Sequence, residues 1–342
     1  VSAPDLPVEL TDGEVVLRAW KEADLPAVIA GHDEELAHWL GRPIEAPSLA
    51  EQQAAFATRA AAQAAGRLVS YVVDRQGQVV GEVAVERLDD HRGRLSWLLY
   101  AGHRGQGYAT RAVRLLVDHA FADLGLTRVE VRIDADNQRA IRIATRAGLR
   151  REGVIRVEPG TGHRPDIASY VLLARLASDA PFTEPTGFRS LLNSFLPRKR
   201  AIAQMLVRDP AGRVLTCKLT YKRDWDLPGG VVEVGESPQL AAGREVKEEL
   251  AIDIAPGRLL LTDWMPPWGG WDDALCLVFD GGVVDPTVLD AAVLQAREIR
   301  SVQFGSVEEL REHCADFTVR RIEAALRVLD GTGPTYTESG RP

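Results

Sequence analysis

The sequence predicts two tandem domains, each mixing strands and helices, and three features predict it. A strand, a glycine-rich loop and a helix follow one another over residues 95–123. A loop and a helix dense in carboxylates occupy residues 230–252. Between them, Ser178 to Gly187 is rich in turn formers. A chain of 342 residues is long enough for two cores. Hydrophobic content of 45% and charged content of 26% are those of a globular protein. No apolar run approaches the ~18 residues needed to span a membrane. The opening Val-Ser-Ala-Pro-Asp-Leu-Pro has neither a basic region nor an apolar one, so the expected compartment is the cytoplasm. Cys217, Cys276 and Cys314 are an odd, widely spaced set, read as reduced core thiols. A net charge of −8 argues against a long grip on duplex nucleic acid and stays compatible with small phosphate compounds.

In chain order, the first domain is expected over residues 1–177. Tyr71 to Asp74 and Val79 to Val85 form paired strand segments around a turn at Gly77. Leu95 to Tyr100 is an apolar strand, and Ala112, Val113, Leu115, Leu116, Ala120 and Phe121 mark an amphipathic helix after the loop. A glycine-rich loop entering a helix N-terminus offers backbone N–H groups and the positive end of the helix dipole to an anion. Alone this is weak, because ordinary strand-to-helix loops use glycine and a Rossmann fingerprint begins the same way. Consecutive strands before residue 100 oppose the Rossmann reading. A further strand, Arg128 to Ile133, precedes Asp136-Asn137-Gln138-Arg139-Ala140 and a helix ending at Ala147-Gly148.

Arg104-x-x-Gly107-x-Ala109 resembles motif A of the GNAT acyltransferases, and with Val15 to Trp20 and Asp24-Leu25, similar to the opening of the RimJ/RimL-like branch, and the Asn137 segment the likeness runs over residues 8–176. The resemblance implies a bent mixed sheet with flanking helices and acetyl-CoA-dependent N-acetylation of an amine, on a small molecule or a protein N-terminus. It also implies a pyrophosphate held by Arg104, Gly105, Gln106, Gly107, Tyr108 and Ala109. Asn137 is either a pantetheine or water contact or simply a helix N-cap. Glu82 and Glu86 are candidate routes to the amine, or solvent-facing strand residues. Ala140 stands where the family often has Ser, and Ala144 where some members have an acidic Tyr. Proximity of thioester and amine still permits transfer without such an acid.

After a linker at 178–187, the second domain is expected over 188–330. Phe188 to Leu196 reads as a short helix, Arg198-Lys199-Arg200 as a basic junction or phosphate contact, and Ala201 to Arg208 as a strand. Ser237 and Pro238 are a helix start, a capping hydroxyl followed by a ring suited to the first turn. At about 100° per residue, Glu245, Glu248 and Glu249 share one stripe, while Val246 and Leu250 lie opposite. Like charges so spaced repel unless compensated, and hard oxygen ligands suit Mg²⁺ or Mn²⁺. Arg244, four residues before Glu248, is placed to clamp a carboxylate.

Gly230, Glu236, Arg244, Glu245, Val246, Glu248, Glu249 and Ile252 fall in register on the signature of the Nudix hydrolases, which this segment resembles; Ala251 stands where the family usually has Gly. The resemblance implies an α/β/α sandwich and hydrolysis of a nucleoside diphosphate linked to another group. Glu245, Glu248 and Glu249, with Gly230, would hold the metal, and Glu236 and Arg244 would support loop and helix. Glu298 or Asp272 are candidate bases outside the signature. Trp264, Trp268 and Trp271 either stack on a base or pack the sheet edge. Residues 331–342 are expected to form a disordered tail. The chain thus reads as a bifunctional enzyme acting on an amine and a small nucleotide derivative, with neither duplex nucleic acid nor membrane as partner. The alternative makes the first domain a CoA- or ligand-sensing module beside an active hydrolase.

Overall fold

Val69, Tyr71 and Val73 on one strand and Val83 and Val85 on the next are buried together, so the period-2 pattern of this region builds one apolar sheet face. The computed structural model describes residues 9–158, 160–161, 166–220 and 224–342. The chain divides into two units after Leu196. In the first, β1 (Glu9–Thr11), β2 (Val16–Arg18), β3 (Leu68–Arg75), β4 (Gln78–Arg87) and β5 (Arg92–Leu99) pair antiparallel in sequence order. The helices α1 (Leu25–Ala30), α2 (Glu34–Leu40) and α3 (Leu49–Ala64) intervene between β2 and β3. The loop then leads into α4 (Tyr108–Ala122), and β6 (Arg128–Asp134), α5 (Gln138–Arg146), β7 (Arg150–Arg156) and β8 (Ser169–Leu176) follow, with β8 lying between β6 and β7.

One irregularity shapes the unit. β5 and β6 are parallel and pair only at Arg92–Arg94 with Arg128–Glu130. Beyond that point the two strands are unpaired, which opens the mixed sheet. Ala109, Ala112, Val113, Leu116, Val117 and Ala120 of α4 join the core that covers the sheet.

The segment 178–187 is not a free linker. Asp179 accepts from the Leu176 N–H at 2.9 Å and pairs with Arg150 at 3.0 Å. The ring of Phe182 lies under the Arg114 guanidinium at 4.9 Å. The helix α6 (Pro185–Phe195), expected in the second domain, belongs to the first unit: the Arg151 N–H of β7 donates to Ser194 Oγ at 3.1 Å. Turn formers signalled a change of direction and not a boundary.

The second unit is an α/β/α sandwich around β9 (Arg200–Arg208), β10 (Val214–Leu219), β11 (Trp225–Asp226), β12 (Gly229–Val231), β13 (Leu259–Met265), β14 (Ala274–Val283), β15 (Ile299–Gly305) and β16 (Tyr336–Glu338). The main path runs β11-β10-β9-β14-β13-β16, with β12 on β9 and β15 on β10. Ala203, Met205 and Val207 face α7 (Pro238–Leu250), which buries Ala241, Ala242, Val246 and Leu250. Leu206, Leu260 and Val278 lie in the opposite layer with α8 (Val307–His313) and α9 (Asp316–Leu329). All three cysteines are buried and free, as read from the sequence.

The expected disordered tail is also corrected. β16 extends the sheet parallel to β13. Buried Thr337 donates to Asp263 Oδ1 at 2.7 Å, and the Gly340 N–H donates to the same oxygen at 2.7 Å. Two polar groups of the terminal segment thus satisfy a fully buried carboxylate.

Candidate functional sites

The opening between β5 and β6 is a cavity of about 590 Å³. Its walls include Trp97 and Leu98 of β5, Val131 and Ile133 of β6, Trp39 of α2 and the loop residues Gly105 and Gly107. Gly105 and Gly107 have φ of +78° and +86°, and a Cβ added at either would enter open space. The backbone is therefore bare where the loop meets α4, with N–H groups and the helix N-terminus unobstructed.

The expected side chains of this loop make contacts within the fold, and of them Arg104 also lines the cavity. Arg104 is a structural clamp: it donates to both carboxylate oxygens of Asp33 at 2.7 and 2.8 Å, to Glu35 at 2.9 Å and to the Leu99 carbonyl at 2.9 Å. The Asp33 carboxyl is held below its usual range by Arg104 and by capping the Leu36 N–H of α2. Tyr108 is buried and donates to Gln106 Oε1 at 2.9 Å, and neither side chain lines the cavity. Asn137 both lines the cavity and caps α5, accepting from the Ala140 N–H at 3.0 Å. Glu82 is paired with Arg59 at 2.8 Å, and Glu86 is an exposed strand residue 3.4 Å from Arg94. Ala144, where some family members would place a proton-donating tyrosine, is fully buried.

The second site is built from side chains. Ser237 accepts from the Leu240 N–H at 3.3 Å and Pro238 opens α7, as their types require. Arg244 is the hub, donating to Glu236 at 2.9 and 3.0 Å, to Glu248 at 2.9 Å and to the Val231 carbonyl at 3.2 Å, and pairing with Glu245 at 2.9 Å. The Glu236 carboxyl is lowered chiefly by its hydrogen bonds from Arg244. Gly230 lies so close to Glu245 that a Cβ would stand 2.5 Å from the carboxylate. Glu249 is 4% exposed and accepts from the Gly229 N–H at 2.9 Å. Burial pushes its carboxyl up to about 8, with the charges of Glu245, Glu298 and Asp226 adding to the rise. Glu245 is raised too, by burial first. Of the two candidate bases, Glu298 acts on both glutamates, whereas Asp272 is tied through its carbonyl to Arg200 at 2.9 Å.

These carboxylates suit a hard divalent cation in chemistry and in sharing one helix face with a buried carboxyl whose ionised form a bound cation would favour. They are not a ready cage: among the described residues no three acidic, His or Cys groups converge on one point. Arg244 holds Glu245 and Glu248, so a cation would have to take them from it. Ala251 ends α7 in the left-handed region at φ +56°, where glycine is unstrained.

Beside Gly229 and Gly230 lies a smaller cavity of about 180 Å³. Trp268 and Trp271 line it, while Trp264 sits on β13 and donates to Asp273 at 3.2 Å, so the three tryptophans divide between the two readings. Arg200, from the basic triplet, lies 4.9 Å over the Trp271 ring. Lys199 pairs with Asp273. Among the lining residues missed in the sequence are Gln204, Asp226, Phe317 and Arg321. Arg321 is 1% exposed and pairs with Asp263 at 2.8 Å. These residues come from distant strands and α9, and no local pattern signals them.

The profile of the acetyltransferase (GNAT) domain matches residues 14–150, and that of the NUDIX domain matches residues 197–326. The chain is a GNAT–Nudix fusion. Its first half is 29% identical over 109 residues to the uncharacterized N-acetyltransferase p20 of Bacillus licheniformis, covering 31% of this chain and 61% of that protein. The chain thus spans less than two thirds of that relative. The Nudix half is 30% identical over 138 residues to a MutT-like protein of Streptomyces ambofaciens, covering 39% of this chain and 79% of the relative. Among solved structures, RimJ of Mycobacterium smegmatis in complex with CoA-disulfide aligns with a TM-score of 0.44 at 20% identity, covering 56% of this chain and 95% of that one. Both domains belong to enzyme families. No helix among the described residues is long and apolar enough to cross a membrane.

Proposed function

We propose that the fusion carries two activities: N-acetylation of an amine by acetyl-CoA in the GNAT domain, and hydrolysis of a nucleoside diphosphate derivative with Mg²⁺ or Mn²⁺ in the Nudix domain. The observation that carries the hydrolase reading is the carboxylate face of α7, where buried Glu249 sits beside Glu245 and within the field of Glu298 with no ion pair to a cation among the described residues. A divalent ion held by Glu245, Glu248 and Glu249 would neutralise diphosphate charge and acidify a water. Arg244 would fix the loop through Glu236, and Glu298, exposed at the rim, would accept the proton of the attacking water. Trp268 and Trp271 would stack on the nucleoside base.

For the GNAT domain, support comes from the bare Gly105–Gly107 backbone at the head of α4 and the cavity that runs from it between β5 and β6. Diphosphate oxygens would accept from the loop N–H groups, and Asn137 would contact the pantetheine through its amide nitrogen while its oxygen caps α5. Arg104 would act by fixing α2 and not by touching phosphate. Ala144 favours one further reading, in which this domain binds the thioester as a sensor. A purified-protein screen tests both: cleavage of the diphosphate bond to a nucleoside monophosphate across nucleotides and nucleotide sugars with Mg²⁺, beside thiol release from acetyl-CoA with mixed amines. Hydrolysis of at least one diphosphate compound, lost on chelation, is expected. No turnover across the panel would contradict the hydrolase reading, and CoA binding without thiol release would select the sensor.

A further inference from the structure

The smaller cavity of the second unit has exposed aromatic walls and a polar floor. Trp268 and Trp271 are exposed, while Gln204, Asp226 and Arg321 are buried beneath. Gly229 and Gly230 line it as well and lie against Glu249 and Glu245 of α7, so the cavity adjoins the carboxylate face. The floor is a hydrogen-bond array whose acceptors are engaged inside the protein. Gln204 Oε1 accepts from Arg321 Nη1 at 3.1 Å, and Asp226 Oδ1 accepts from Gln204 Nε2 and the Leu227 N–H, both at 2.9 Å. One donor is less well matched. Arg321 Nε meets Asp263 at 2.8 Å, whereas the partner of Nη2 among the described residues is the Met265 thioether, at 2.6 Å. Sulfur of this kind is a weak acceptor, and a buried charged donor that lacks a good one is costly. Met265 is unbranched, half-buried and lines the same cavity, so its sulfur can yield to an entering oxygen.

We infer that Arg321 selects the nucleobase, donating through Nη2 to a ring-carbonyl oxygen, so that keto bases are taken in preference to amino bases. This rests on the reading that Trp268 and Trp271 stack on the base of a nucleotide held at α7. A guanidinium has donors and no acceptor. Guanine and thymine present a carbonyl oxygen where adenine and cytosine present an amino group, and hypoxanthine and uracil follow the keto pattern. An amino group facing Nη2 sets donor against donor in a buried site, where a mismatch is felt most. Asp224, half-buried on the cavity wall, is the acceptor that would favour the opposite choice.

The test uses pairs of equal ring size that differ in carbonyl against amino group. IDP-glucose is compared with ADP-glucose, and UDP-glucose with CDP-glucose, by kcat/KM in Mg²⁺. IMP is compared with AMP, and UMP with CMP, by calorimetry on the full chain. The keto member of each pair should be favoured about tenfold or more in both readouts. Arg321→Lys keeps a cation for Asp263 but loses the fork, and should bring the ratios to near one. A merely structural role would weaken both members alike and leave the ratios standing. If the lysine variant does not fold, Met265→Leu, which removes the sulfur at similar volume, should raise the affinity of the keto members alone. Wild-type ratios near one, a preference for the amino members, or ratios unchanged in a folded lysine variant would each overturn the inference, as would an equal change of both members in Met265→Leu. Keto-selective binding of the monophosphates without hydrolysis of any compound would leave the inference standing and overturn the hydrolase reading. Binding of no nucleotide would overturn both.

Discussion

The two sites of this chain are built from opposite materials. The anion cradle of the GNAT cavity is made of backbone: two glycines at positive φ and a helix N-terminus, beside two strands that part after three residue pairs. The Nudix site is made of side chains, with one arginine engaging three glutamates and a fourth glutamate buried beneath them. A site of backbone is sensitive to added bulk and indifferent to most charge changes, whereas a site of carboxylates is sensitive to the loss of a single charge. Substitutions can therefore be chosen that separate them.

The largest effect is expected at the carboxylates. Glu248→Gln and Glu249→Gln should each lower nucleotide hydrolysis by about two orders of magnitude or more, with circular dichroism unchanged. Turnover within a few-fold of wild type in both would remove the side-chain half of the comparison. Next comes the buried pair Arg321–Asp263, tied to the terminal strand by Thr337 and Gly340. Asp263→Ala leaves the buried Arg321 guanidinium with only the longer 3.9 Å pair to Asp226 among the described carboxylates, and should destabilise the second unit by roughly 3 kcal/mol in denaturant titration. Removal of residues 331–342 should destabilise in the same direction, whereas an unaltered midpoint would restore the view that the terminus is a free tail.

Glu249 also predicts a pH dependence. Its carboxyl is raised in the folded state to about 8, so the folded protein holds a proton that the unfolded chain releases. The stabilisation this gives is complete below the unfolded value and is lost as pH rises through about 8. In chelator, the melting temperature of the second unit should fall over that window, Mg²⁺ should oppose the fall, and Glu249→Gln should flatten it. A flat profile in the wild type would mean the carboxylate is already compensated. The smallest effect is at the helix end, where Ala251→Gly should stabilise by up to about 1 kcal/mol by relieving the left-handed strain. A loss of stability there would show that the alanine methyl packs usefully.

Local chemistry was legible in the sequence. The Ser237 cap, the Pro238 turn, the one-sided glutamates of α7 and the glycines ahead of α4 all signal through neighbours within a few residues, and each lies where its type requires. What failed was partnership over distance. Arg104 reads as part of a phosphate loop, yet its guanidinium meets Asp33, 71 residues away. Helix α6 follows a turn-rich stretch, yet Ser194 receives a hydrogen bond from Arg151. The terminal residues look solvent-loving, but Thr337 is fully buried on a carboxylate 74 residues earlier. Composition describes what a segment can do alone, and none of these contacts is made alone.

The most direct test of the two-material account is a crossed assay of Gly107→Val and Glu249→Gln in the full chain, each measured for CoA binding and for nucleotide hydrolysis. Gly107→Val places a branched side chain at φ +86° and into the open space over the loop, so CoA binding should vanish while hydrolysis stays at the wild-type rate. Glu249→Gln should do the reverse. Loss of both activities in either variant, or full CoA affinity in Gly107→Val, would contradict the account.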